Sequence, residues 1–367
     1  MKTIKISLTI FALAFMVSCN GTYYRMVRMV TVLDRNGNIY REIYARGDSA
    51  FMSGNSSHNP FLFDLTPDWN INYYDTTSTY KLFEKEKHFN VKISRKANSI
   101  EDYSKNIRCD KDVQSFAAPE EHLFKKMRWF YTNYSLNVIY KKIQYEVPIS
   151  IGNYLSKEEQ ILWTQGGFCN YKEINGFEMN DCLNEINDKF MKWYGRNLFE
   201  FSLEGIKKLS ENFDLDKDKE NVYKKWTDSV KMDTMDIEPK TVCNVLDSFY
   251  KTTYFSKLYN TNHEILDKDF NQQQSESIEK IDLGKEISYE LVIPGEILQT
   301  NAPIIRSDTL VWKVDGIRLL FNDYSLEAEY RAINKWSFLL TGLLIIISIV
   351  SIVSLRRRRR IYSDKLL

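Results

Sequence analysis

The chain has 367 residues, with 23 Tyr and 21 Phe, and carries 50 Lys and Arg against 49 Asp and Glu for a formal net charge of +1. That balance hides an asymmetry. Residues 19–335 hold 42 basic and 48 acidic side chains, a mildly acidic surplus that argues against a nucleic-acid partner and against a broadly basic lipid-facing surface.

The chain opens on a short basic head, Lys2 and Lys5, and an apolar run, Ile6–Val17. Residues 1–18 read as a secretory signal, too short to serve as a stable span. Val17-Ser18-Cys19 resembles a lipobox, in which the cysteine is acylated and becomes the new N-terminus, so Cys19 is the predicted lipidation site; Met16 stands where Leu is usual. Residues 19–335 then form the predicted extracytoplasmic ectodomain. Tyr23–Leu33 and Asn38–Tyr44 read as extended runs joined at Asn36-Gly37, a strong hairpin signal. Ser53–Asn59 and Thr76–Thr79 read as polar loops, and Phe89–Ser94 alternates as a strand. Leu123–Asn133 and Leu136–Tyr145 read as a second hairpin. Its basic-aromatic ladder (Phe124, Lys125, Lys126, Arg128, Trp129, Tyr131, Tyr134) is predicted to have one core face and one solvated face.

Near residue 155 the texture becomes helical. Ser156 with Glu159 forms a capping-box pattern, and Gly166-Gly167 stops that helix. Helical spacing continues in Asn180–Trp193, Leu203–Leu209 and Val222–Trp226, and again from Pro239, with Val242, Val245, Leu246 and Phe249 on one face. Gln272–Ser275 reads as a linker or loop that ends the helical segment, about 155–275. Strand patterns return at Ile287–Ile293, Thr309–Val314 and Ile317–Phe321, with turns at Pro294-Gly295 and Asp315-Gly316. Leu326–Tyr330 ends the block, or Leu326–Trp336 runs as a helix into the terminal apolar stretch. The predicted fold class is α+β: an antiparallel sheet built from N- and C-terminal strand blocks, with the helical segment between them. A sheet that starts near the lipid and ends near the last helix would let one domain join both anchors.

Trp336–Leu355 is twenty residues without a charge, and Arg356–Arg360 come directly after it. A helix of that length rises about 30 Å, the thickness of the hydrocarbon core. The arginine block keeps residues 356–367 in the cytoplasm. The predicted location is therefore the bacterial inner (cytoplasmic) membrane, ectodomain on the periplasmic or extracytoplasmic side.

Four cysteines besides Cys19 are disulfide candidates in an oxidising compartment: Cys109, Cys169, Cys182 and Cys243. Cys169 with Cys182 is the favoured pair, and buried free thiols are the alternative. Five Asp-Ser/Thr triplets resemble an O-glycosylation sequon of exported bacterial proteins, making Ser49, Thr76, Ser229, Thr234 and Thr309 candidate sites. Chemistry leaves little trace. His58, His88, His122 and His263 are scattered, no HExxH, GxSxG or P-loop occurs, and no metal or cofactor is predicted. Asp214, Asp216 and Asp218 imitate a calcium loop, but Lys219 and Lys225 stand where Gly and Glu are needed, so an acidic turn is expected.

Residues 294–314, with Pro294, Gly295, Thr300, Asn301, Ala302 and Trp312, resemble a segment of membrane-anchored bacterial lipoproteins of the LppM type. The resemblance implies a lipobox, an α+β ectodomain, a terminal span with basic residues, and an envelope role without catalytic residues. It makes Pro-Gly a turn, Asn-Ala a bend and Trp312 a core residue. The predicted function is a cell-envelope lipoprotein, anchored at both ends, whose non-catalytic ectodomain binds a lipid, glycan or envelope protein. The alternative is an envelope hydrolase assembled from scattered residues.

Overall fold

A computed structural model describes residues 25–82, 85–104, 107–109, 111–166, 176–210, 212–229, 238–277 and 285–363. Strand β1 (Arg25–Leu33) turns into β2 (Ile39–Ala45) through the expected Asn-Gly. Gly37 takes φ 92°, a conformation that suits glycine. Asp34 closes the turn, its Oδ1 accepting the backbone N–H of Asn36 and of Asn38, each at 2.8 Å. After α1 (Ser49–Met52) come β3 (Asn70–Leu82) and β4 (Lys85–Ala97), then α2 (Ile100–Ser104) and α3 (Gln114–Ala117). Thr76–Thr79, expected as a loop, lies within β3, where threonine's branched side chain suits extended backbone. Strands β5 (Glu120–Met127) and β6 (Tyr131–Tyr140) form the second hairpin.

The helical segment comprises α4 (Lys157–Gln165), α5 (Gly176–Leu209), α6 (Leu215–Ser229), α7 (Pro239–Tyr250) and α8 (Tyr254–Glu276). The capping box forms as expected. Ser156 Oγ accepts the Glu159 N–H at 3.2 Å, and Glu159 Oε2 accepts the Ser156 N–H at 2.7 Å. Gly166 ends α4 in the left-handed conformation. The two helices read at 180–193 and 203–209 are one 34-residue helix, α5. Residues 193–203 are buried without interruption, and a helix buried all round shows no amphipathic period. Gln272–Ser275 is not a linker; it continues α8, since glutamine favours helix.

The C-terminal block supplies β7 (Lys285–Val292), β8 (Glu296–Thr300), β9 (Ile304–Arg306), β10 (Thr309–Asp315) and β11 (Tyr324–Ile333), and the chain closes on α9 (Lys335–Ser363). Residues 324–333 are thus a strand that stops short of the helix. Ile317–Phe321, read as a strand, is a turn. Asp315 Oδ1 accepts the Arg318 N–H at 3.0 Å, folding the segment so that Leu319, Leu320 and Phe321 are buried.

The fold is α+β, as predicted, and both strand blocks contribute to the same sheets. The strands divide between two sheets, ordered β3-β4-β2-β1-β7-β10-β9 and β5-β6-β11-β8. Among the described residues every pairing is antiparallel except one. β1 and β7 run parallel, Arg25 opposite Lys285 and Val32 opposite Val292, and that pair joins the two blocks. A parallel neighbour requires a long crossover, which everything between β1 and β7 supplies. Met29, Ile43, Ile93, Tyr289 and Trp312 of the first sheet share one core with Leu136, Val138 and Tyr330 of the second. The helical segment joins that core through aromatics: Trp163, Phe190 and Trp193 surround Phe321, with ring centroids 6.2, 6.2 and 5.8 Å away.

Candidate functional site

Among the described residues, one helix is long and apolar enough to cross a membrane, with the span running over Lys335–Arg356, 22 residues. Its first turns are not free. β11 ends at Ile333, paired with Tyr131 at the start of β6, so the helix leaves the second sheet beside the β5–β6 turn. Asn334 fastens the two together. Its side-chain NH2 donates to the carbonyls of Arg128 (2.8 Å) and Trp129 (3.3 Å), its Oδ1 accepts from the Thr132 hydroxyl (2.9 Å), and its backbone N–H donates to Phe130 O (2.9 Å). The Asn334 carbonyl caps the helix by accepting from the N–H (3.1 Å) and hydroxyl (2.7 Å) of Ser337.

Aromatic rings complete this collar. Trp129 meets Trp336 edge to face at 5.6 Å and donates its indole N–H to Thr341 Oγ1 at 2.8 Å. Phe130 lies 4.9 Å from Phe338, and the Arg331 guanidinium sits 5.8 Å over the Tyr131 ring while its Nε donates to Glu296 at 2.7 Å. The bend at Pro294-Gly295 abuts the same edge: a Cβ on Gly295 would collide with the Arg331 carbonyl, so only glycine fits. Amphipathic rings at the base of an apolar helix are the chemistry of a bilayer interface.

The basic-aromatic ladder therefore divides. Tyr134 is core, stacked on Tyr330 at 4.8 Å with its hydroxyl donating to Arg35 O at 2.5 Å. Met127, Trp129 and Phe130 are exposed at 67, 47 and 40 %. The turn also lies earlier than expected, between Met127 and Tyr131 rather than near residue 135, because Asn334 and the helix hold it there; no glycine, proline or asparagine in Arg128-Trp129-Phe130 marks it locally.

Residues 294–314 behave structurally, as the resemblance implied. Trp312 is fully buried and donates its indole N–H to Asn301 Oδ1 at 2.8 Å. Asn301 in turn accepts the Glu327 N–H at 2.9 Å and donates to Ser325 O at 2.8 Å, which ties the first sheet to the second.

The remaining predicted positions stay apart. Cys19, Cys169 and Thr234 lie outside the described residues. Cys182 and Cys243 carry free thiols, so no disulfide joins two described cysteines; Cys109 is half-buried against the core. Cys243 sits fully buried in α7, as in the free-thiol alternative, and burial, followed by the nearby Asp247 and Asp267, pushes its thiol up to about 12. Ser49 is exposed at the start of α1, where Asp48 caps the helix by accepting the Phe51 N–H at 2.8 Å. Thr309 is half-buried at the start of β10 and donates to Asp308 at 3.2 Å. Thr76 falls in β3 and Ser229 ends α6. Asp214, Asp216 and Asp218 start helix α6 and each has a partner: Asp214 accepts the Lys217 N–H, Asp216 pairs with Lys207, and Asp218 accepts from the Tyr250 hydroxyl. Among the described residues no group of three or more His, Cys, Asp or Glu could hold a metal ion. His58 bonds Asp48 at 2.7 Å and His122 stacks on Phe124.

Two hollows bear on ligand binding. A void lined by Val27, Met29, Ile43, Leu62 and Phe116 measures about 10 Å³, too small for an organic ligand. An open groove of about 520 Å³ between α5 and α8 is lined by Gly205, Lys208, Ile265 and Asp269. Lys208 and Asp269 already pair across it at 3.1 Å.

No protein-family model matches the chain, and no curated protein matches it. Among solved structures it is similar to the folded domain of Mycobacterium tuberculosis LppM, determined by NMR, with 7 % identity and a TM-score of 0.28 over 86 % of this chain and 94 % of that one. At this level the likeness is coarse.

Proposed function

We propose that the protein is a bacterial cell-envelope lipoprotein with a non-catalytic ectodomain. In this reading α9 crosses the inner membrane with Arg356–Arg360 in the cytoplasm, Cys19 is acylated, and the two-sheet domain stands outside the cytoplasm to bind a lipid, a glycan or an envelope protein. The observation that carries it is the collar. Asn334, Trp129 and Thr341 bind the ectodomain to the first turns of the apolar helix, which gives the domain a fixed bearing on a bilayer. A tether that served only to retain the domain would need no such fastening.

Topology is the test. A reporter fused behind Leu367 is expected to be active in the cytoplasm, and labelled palmitate is expected to enter the wild-type chain and not Cys19→Ala. A reporter active only outside the cytoplasm overturns the sidedness, and label retained by Cys19→Ala overturns the lipid anchor. Native mass spectrometry of the protein released from its membrane then identifies what it carries. An intact mass above lipid plus polypeptide would support a glycan, with Ser49 an exposed candidate.

A further inference from the structure

We propose that the β5–β6 turn is a second, non-spanning membrane contact: Met127, Trp129 and Phe130 enter the acyl boundary of the leaflet that α9 crosses, while Lys125, Lys126 and Arg128 engage the phosphates of its headgroups. The proposal rests on the reading that α9 spans a bilayer, and it stands on depth, chemistry and charge.

Depth comes first. A span of 22 residues rises about 33 Å, against a hydrocarbon core of about 30 Å, so the helix has almost no surplus length. Thr341 lies six positions beyond Lys335, about 9 Å along the axis. Trp129 is hydrogen-bonded to Thr341 at 2.8 Å. With the helix in place, the Trp129 indole cannot stand clear of the bilayer unless that bond breaks. Phe130 is held 4.9 Å from Phe338, which lies three positions beyond Lys335, about half as far along the axis.

The chemistry of the tip agrees. Met127 and the two rings form an exposed apolar point on a strand hairpin, in a stretch where a solvated turn would be polar. The indole polar atom is already satisfied by Thr341, so burying the ring among lipid tails leaves no donor unpaired. Charge is the independent observation. Lys125, Lys126 and Arg128 stand within three residues of the tip, and none pairs with a carboxylate among the described residues; the Lys125 ammonium lies 5.8 Å over the Tyr134 ring. A basic cluster on an ectodomain with an acidic surplus selects an anionic surface, and beside a membrane helix that surface is the phosphate layer.

The test uses the full chain in nanodiscs, either of phosphatidylcholine alone or with phosphatidylglycerol added. Photoreactive benzoylphenylalanine replaces, one at a time, Met127, Phe130, Leu344 in the span, and Ile265 on the exposed face of α8. After irradiation, intact mass reads lipid adducts. Adducts are expected at Met127, Phe130 and Leu344 and not at Ile265. The combined Lys125→Glu, Lys126→Glu, Arg128→Glu variant is expected to lose adduct at Met127 in anionic discs and to keep it in neutral ones, since each basic side chain near an anionic surface is worth roughly a fivefold preference. Adducts at Leu344 with none at Met127 and Phe130 overturn the proposal while leaving the spanning helix intact. No adduct at Leu344 overturns the spanning reading itself. Crosslinks from Met127 or Phe130 to another polypeptide in native membranes, without lipid adducts, would make the tip a protein-docking surface and also overturn the proposal.

Discussion

Arg41 and Glu121 are the costliest pair of side chains in this molecule. Both are buried, 2.7 Å apart, one on each sheet. Burial alone would discharge Arg41; Glu121, with Tyr289 and Tyr103 beside it, outweighs that and raises its pKa above the usual value. Its Nε donates to Thr31 at 2.9 Å, and its guanidinium lies 4.1 Å over the Tyr103 ring. Satisfaction is incomplete: Glu121 Oε2 and the Tyr140 hydroxyl have no hydrogen-bond partner among the described residues. A buried pair of this kind sets the register of two surfaces more than it stabilises them, while removing one member strands the other charge. Arg41→Met or Glu121→Leu alone is therefore expected to cost about 3–5 kcal/mol in chemical denaturation. The double variant should recover most of that loss, and additive losses would refute the coupling. Cys243 gives a second residue-scale outcome. A thiol pushed up to about 12 holds almost no thiolate at pH 8. Maleimide should leave Cys243 unmodified in the native protein and label it on unfolding; rapid native labelling would show that α7 opens.

At the scale of elements, α4 shows what a local signal can establish. Ser156 and Glu159 are three residues apart and cap the helix reciprocally, and Lys189 of α5 adds a bond to Glu159 at 2.6 Å. Burial would raise the Glu159 pKa; the bonds from Lys189 and Ser156 overcome it and hold the carboxyl below its usual range. A depressed carboxylate contributes stability that is complete above its unfolded pKa and disappears as pH falls through its folded one. Ser156→Ala should cost about 1 kcal/mol. Glu159→Gln should be destabilising at pH 7 and converge on wild type in acid; a penalty equal at both pH values would exclude the ionised pair as its source. Three of the elements that the sequence left illegible depend on residues far along the chain. Residues 193–203 lose helical periodicity because every side is buried, Ile317–Phe321 turns inward where Trp163, Phe190 and Trp193 of the helical segment receive Phe321, and Arg128-Trp129-Phe130 turns only because Asn334, more than two hundred residues on, ties its carbonyls. The hairpin at Asn36-Gly37 and the cap at Ser156 need only neighbours, and they were legible for that reason. The collar was half legible. Its aromatic and basic residues stood out, but their contact with the span depends on a pairing of β6 with β11 that no local pattern announces.

At the scale of the whole molecule, the parallel pairing of β1 with β7 constrains how the two proposed anchors relate. A sheet that begins near the lipid and ends near the helix was expected. The collar-side end of β7 is Val292, beside the Pro294-Gly295 bend that abuts Arg331, and Val292 lies opposite Val32. The chain therefore leaves β1 toward its N-terminus at Arg25, at the end of the sheet away from the collar. The nine residues of β1 put those ends about 26 Å apart. From Cys19 to Arg25 the chain can reach at most about 20 Å in any conformation. If β1 stood along the bilayer normal, an acyl group on Cys19 could not enter the leaflet that α9 crosses. Anchoring both ends in one bilayer thus requires the first sheet to lean well over toward the membrane. The expected outcome is a spin label at Arg25 lying within about 20 Å of the headgroup layer in the acylated protein, and moving outward in Cys19→Ala, where only α9 and the collar hold the domain. A label equally far from the bilayer in both proteins would mean that the lipid does not share a leaflet with the helix, and the tilt would then be set by the collar alone.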